Sequence, residues 1–160
     1  MPDGGKAPGT GDRTVATNRR ARHDFAIDET FEAGIVLTGP EVKSLRGGRA
    51  SLADAYARVR GEEVWIEGMH IPPYPMAGQQ RTYVPTRPRK LLLHRKEIER
   101  LIGKTAERGL TLVPMKIYFS HGLAKMELGL GRGKRQFEKR QTIAERESRR
   151  EMAREVGRRR

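Results

Sequence analysis

The sequence predicts a mainly β fold, one small barrel with short helices, followed by a basic C-terminal tail. Three observations lead there. Several short runs alternate apolar and polar residues between Gly, Pro and Asp, the pattern of half-buried strands. Only two stretches of the body carry helix start and stop signals. At Arg132 the composition changes: alternation ends and cations take over.

Residues 1–17 are rich in Gly, Pro, Thr and Asp with almost nothing to bury, and are expected to form a disordered leader. A basic segment, Asn18 to His23, enters the fold. Phe25-Ala26-Ile27 and Gly34-Ile35-Val36-Leu37 read as two strands joined by an acidic link, Asp28 to Ala33. Glu41 to Leu45 follows Pro40 and stops at Gly47-Gly48, the asymmetry of a short helix. The stretch Leu52 to Val59 alternates, turns at Arg60-Gly61-Glu62 and returns through Val64-Trp65-Ile66, a hairpin.

Residues 70–90 hold five prolines, and so long a loop in a small domain is either functional or mobile. From His94 to Arg108, Ile98, Leu101 and Ile102 share one helical face and Gly109 stands where a C-cap belongs. Thr111–Phe119 and Leu123–Leu130 form a second hairpin around Ser120-His121-Gly122, with Pro114 demanding an edge or a bulge. About six strands and two helices suit a Greek-key barrel of the oligonucleotide-binding (OB) type, though the same alternation also suits a sandwich. The expected organisation is a leader over 1–17, a barrel over 18–131 and a tail over 132–160.

The 160 residues suffice for one core, but with 36% hydrophobic content part of the chain must lie outside it. Lys and Arg number 33 against 20 Asp and Glu, a net charge of +13, which favours polyanionic partners, nucleic acid before a membrane surface. Cysteine is absent, which excludes disulfides and thiolate metal sites. There is no signal-like or membrane-length apolar run, so a soluble, cytoplasmic protein is expected.

The tail carries 12 Lys/Arg against 5 Glu. Its apolar residues Phe137, Ile143, Met152 and Val156 form no continuous stripe, so it has no face with which to dock on the barrel. Favourable pairs such as Glu145/Arg149 and Glu151/Arg154 are offset by like-charge pairs such as Arg146/Arg150 and Glu147/Glu151. The expectation is a segment disordered in the free protein and helical on a polyanion.

No catalytic constellation is visible. The four histidines, His23, His70, His94 and His121, are scattered, and no metal-ligand spacing exists. The run Gly129 to Lys134 fails as a phosphate loop: Leu128 stands where its first glycine belongs and Arg135 where Ser or Thr belongs, so its glycines read as a hinge. Asp54, Glu62 and Glu63 show no catalytic pairing. Tyr74, Tyr83 and Phe137 are candidates to stack on bases. The chain is therefore expected to be no enzyme, and to need no cofactor, metal or small-molecule substrate.

Three blocks, in register, carry a resemblance. They are Asn18–Phe25 with Phe31–Leu37 and Glu41–Arg46; Pro85–His94; and Gly133-Lys134-Arg135 with Glu138-Lys139-Arg140. Together they resemble SmpB, the SsrA-binding protein family of bacterial trans-translation, from Asn18 to Arg140 and loosely beyond. The resemblance implies an OB-type barrel that binds the tRNA-like domain of tmRNA and delivers it to ribosomes stalled without a stop codon, as a non-enzymatic adaptor. It implies a tail that enters the empty mRNA channel and becomes helical there.

By position, Asn18, Glu32, Leu92 and His94 match the tmRNA-facing surface, and His23 matches a residue at the small-subunit decoding centre. Gly133, Lys134, Arg135, Phe137, Glu138, Lys139 and Arg140 match the hinge and root of the tail. The cations Arg20, Arg22 and Lys43, inside the matching blocks, are further RNA-binding candidates. Phe137 stands where relatives often have Tyr or His, which keeps stacking and loses a polar contact; Glu138 replaces a common Asp, which keeps charge and alters reach. A monomer is expected. The rival reading from composition is a structural ribosomal protein with a basic extension; a nuclease would need a carboxylate cluster or His pair that the sequence does not display.

Overall fold

The structure is a computed structural model and describes residues 13–77, 82–107, 109–134 and 136–158. Seven strands form one antiparallel sheet: β1 (Arg13–Thr17), β2 (Phe25–Ile35), β3 (Tyr56–Arg60), β4 (Glu63–Glu67), β5 (Arg89–Leu92), β6 (Leu110–Ser120) and β7 (Leu123–Gly133). Their order is β1-β6-β7-β2-β5-β4-β3. The sheet curls until β3 lies against β6, which makes a small barrel. Helix α1 (Ala21–Asp24) precedes β2, α2 (Gly39–Arg46) follows it, and α3 (Arg95–Thr105) packs on β3 and β6 with Leu101 fully buried. Helix α4 (Gln136–Arg158) extends from the barrel.

The alternation seen in sequence becomes the inside of this barrel. Phe31, Ala33, Val64, Ile66, Leu91, Ile117, Met126, Leu128 and Leu130 line one core, while their strand neighbours face out. Helix α2 begins at Thr38, whose backbone N–H donates to Glu41, and ends at Gly47, followed by Gly48 at φ 78°. The β6–β7 turn has positive φ at His121 and Gly122, the primed geometry that matches strand twist.

Several sequence expectations need correction. Residues 13–17, assigned to a disordered leader, are strand β1 paired along β6; residues 1–12 lie outside the described residues. The acidic link 28–33 is strand: β2 runs unbroken, with a register shift at Asp28. Of the two readings open for Pro114, edge or bulge, the structure shows the bulge, on a doubly paired strand. Gly109 does not cap α3, which ends at Thr105; at φ 87° it turns the chain into β6. The glycines 129–133 are no hinge. They belong to β7, and a Cβ on Gly131 would lie 2.1 Å from the Ala26 carbonyl oxygen. The folded body thus reaches Lys134, whose N–H donates to the Asp24 carbonyl.

The proline-rich loop is held by buried charge. Arg89, fully buried at the start of β5, donates from Nε to Glu41 of α2 (2.5 Å), from Nη1 to the Met69 carbonyl (2.7 Å) and from Nη2 to the Pro85 carbonyl (3.0 Å). Arg87 adds a second bond to Glu41, and Ser44 Oγ donates to the Pro72 carbonyl. Burial works to raise the Glu41 pKa, but the bonds from Arg87, Thr38 and Arg89 outweigh it and hold the carboxyl below its ordinary value. Among the described residues no helix is long and apolar enough to cross a membrane.

Candidate nucleic-acid interface

The fold gathers most of the sequence-predicted residues into two groups along β2. At its start, α1 presents exposed Arg20 and Arg22 and the half-buried His23. The His23 Nδ1 lies 2.8 Å from the Asp24 carboxylate, a contact that orients the ring and places a proton on Nδ1. Lys134 ties the exit of the barrel to the same helix: its Nζ donates to the Arg22 carbonyl at 2.7 Å, and Gly133 pairs with Phe25. Residues 112 positions apart thus share one site.

Asn18 sits just before α1 and serves the fold first. Its N–H donates to the Met115 carbonyl and its Nδ2 to the Pro114 carbonyl, pinning the bulge of β6.

The second group lies seven residues along β2, roughly 23 Å of strand away. Glu32 points outward and accepts from the Tyr118 hydroxyl at 2.5 Å, with Lys125 Nζ at 4.0 Å. Leu92 is half exposed beside Gly34, its cross-strand partner, where the missing side chain leaves it uncovered. His94 follows, its ring exposed and its backbone N–H bonded to Glu97 at the head of α3. Lys116, over the ring of the buried Tyr118 at 5.4 Å, and Glu127, the cross-strand partner of both Glu32 and Lys116, complete an outward face of cations, two carboxylates and an apolar side chain.

Sequence reasoning missed Tyr118, Lys116 and Lys125. Their alternation in β6 and β7 places them on the outer face and was the available signal. It also misjudged Tyr83, whose hydroxyl donates to the Ile71 carbonyl at 2.6 Å, so that the ring fastens the loop. Lys43 stands apart from both groups, on α2, with its ammonium 5.8 Å from the Tyr74 ring. Arg135 and the side chains of Phe137, Glu138 and Lys139 lie outside the described residues; Arg140 is exposed on α4. Among the described residues no cluster of His, Asp and Glu could hold a metal ion.

A small barrel with outward cations and hydrogen-bonding groups in two clusters, and a cationic helix leaving from one of them, defines a nucleic-acid-binding protein of the OB type. The family is shown by comparison. The family model described as SmpB protein matches residues 15–158, and the chain belongs to that family. It is 58% identical to the SsrA-binding protein of Thermobifida fusca, over 95% of this chain and 94% of that one. It is 57% identical to that of Acidothermus cellulolyticus, over 94% of each, and 54% identical to that of Bacillus cytotoxicus, over 89% of this chain and 91% of that one. A solved structure described as "tmRNA-SmpB: a journey to the center of the bacterial ribosome" superimposes with a TM-score of 0.62 at 52% identity, covering 75% of this chain and 84% of that one.

Proposed function

We propose that this protein is a cytoplasmic, non-catalytic adaptor that binds the tRNA-like domain of tmRNA and delivers it to stalled bacterial ribosomes. In this reading Asn18, Glu32, Leu92 and His94, with Arg20, Arg22 and Lys43, contact tmRNA. His23 meets the decoding centre, and the segment from Gly133 through Arg140 starts the tail into the empty mRNA channel. The observation that carries the reading is the junction at Lys134. It joins the root of the tail to the helix bearing His23, while Glu32 and Leu92 lie a barrel's length away. One body can then hold two RNA surfaces at once.

The tail is proposed to gain its helix on RNA. The described side chains of α4 are exposed, including Ile143, Met152 and Val156, so little intramolecular packing supports it. Circular dichroism of the full chain minus a chain ending at Lys134 tests this; helicity near that of a 23-residue helix without RNA would refute it.

The test of function is a gel shift with tmRNA, competed by elongator tRNA and by duplex DNA. Preference for tmRNA is expected, and equal affinity for all three would overturn the reading. Deleting residues 135–160 should leave tmRNA binding within about twofold and abolish peptide tagging on stalled ribosomes. The cut belongs after Lys134, because Gly133 and Lys134 are part of the barrel.

A further inference from the structure

Between the barrel and the tail lies a groove of about 310 Å³ whose lining includes Arg22, Phe25 and Lys134 from the barrel and Glu145, Arg146 and Arg149 from α4. Among the described residues its charged lining is four cations against one carboxylate. Of these the barrel wall contributes Arg22 and Lys134, and the tail wall Arg146 and Arg149 with Glu145. Like charge on both walls opposes closure, and a negatively charged occupant reverses the sign of that interaction. The floor is formed by Phe25, Ala26 and Ile27 at the start of β2, with the Phe25 ring half exposed. A row of cations over an aromatic and apolar floor is the chemistry of a single nucleic-acid strand, phosphates on the walls and a base against the ring. A duplex would present no unstacked base to that floor.

We propose that this groove is a phosphate clamp: a single strand of RNA lies between Arg22 and Lys134 on one side and Arg146 and Arg149 on the other, and draws α4 onto the barrel. The clamp rests on the adaptor reading and adds to it a second role for the tail root. The RNA strand itself sets the angle at which the tail leaves the body.

The absence of cysteine allows site-specific labelling. Donor and acceptor dyes at Glu62→Cys, in the β3–β4 turn, and Met152→Cys, on α4, report the tail angle by energy transfer. The probe is a twelve-residue oligouridylate. Its addition should narrow and shift the transfer distribution, and Arg22→Gln and Arg149→Gln should each weaken its binding about fivefold or more. Each should also lower the slope of log affinity against log salt by about 0.7, the value for one phosphate contact on a single strand. The double variant should lose less than the product of the single losses, because both walls hold one strand. Lys96→Gln, an equal change of charge on α3, should change affinity no more than about twofold.

The clamp is overturned if Arg149→Gln matches Lys96→Gln, if the two groove variants multiply without coupling, or if oligouridylate leaves the transfer distribution unchanged. Arg149 is an exposed tail residue, so its variant stays interpretable even if Arg22→Gln impairs folding. Titrating the unmodified chain with the tRNA-like domain of tmRNA separates the two claims. Binding there with no oligouridylate response removes the clamp alone; no binding there removes the adaptor reading itself.

Discussion

The barrel and the tail are both highly charged, yet they use charge in opposite ways. In the barrel, many charges are committed to one another. Arg89 and Arg87 converge on Glu41, Arg100 of α3 reaches Glu29 of β2, and Arg58 and Arg60 meet Glu67. Arg100 donates to Glu29 and holds that carboxyl below its ordinary pKa. Several of these bonds tie elements distant in sequence, so they fix the fold. In α4 every described side chain is exposed, and its charges repeat along one helix. Such charges specify no tertiary position and remain available to a polyanion. A high net charge thus reports a partner only after the paired charges of the body have been set aside.

The sharpest break of this comparison is at the buried pair. Glu41→Gln should destabilise the barrel by about 3–5 kcal/mol in urea unfolding, because Arg89 would keep its charge without its counterion. Replacing both residues by Met should recover only part of that loss, since the Met69 and Pro85 carbonyls would still lose their donor. The same pair sets an acid limit. The Glu41 pKa is depressed in the fold, so its contribution is complete above the ordinary value of 4.5 and is lost as pH falls through the lower folded value. Glu29 has the same sign. Melting temperatures from pH 6 to pH 3 should therefore fall, and should fall less steeply in Glu41→Gln.

A smaller effect is expected at Gly131. Alanine there forces β2 and β7 apart and should cost about 1–3 kcal/mol, read in the same unfolding experiment. The smallest effect belongs to the tail. Met152→Ser, at a position 64% exposed, should shift barrel stability by no more than about 0.5 kcal/mol. A larger shift would mean that α4 packs on the body, and the contrast between the two regions would fail.

Much of the interface is legible in the amino-acid sequence. The three matching blocks mark Glu32, His23, Leu92 and His94, while the alternation that exposes Glu32 between buried Phe31 and Ala33 lies in a stretch read as an acidic link. The residues that went unread share a cause. Tyr118, Lys116 and Lys125 have the right alternation, but nothing local says which outward residues of β6 and β7 stand beside Glu32 of β2. Tyr83 resembles a stacking ring because a loop aromatic reveals its hydroxyl partner only when the loop is closed.

The sequence by itself determined many of the elements, though not β1 or the unbroken course of β2, and the partner class. Local periodicity set the strands, Pro40 and Gly47 set the limits of α2, and the excess of Lys and Arg set the preference for polyanions. Each of these depends on residues a few positions apart or on composition. The tertiary structure alone decided that Asn18 pins a bulge 96 residues away, that Arg89 seals the loop through Glu41, that Gly131 is a contact rather than a hinge, and that Lys134 joins the tail to His23's helix. Those roles are set by which atoms meet when the sheet closes, and strand register, which fixes the meeting, is a property of the whole barrel.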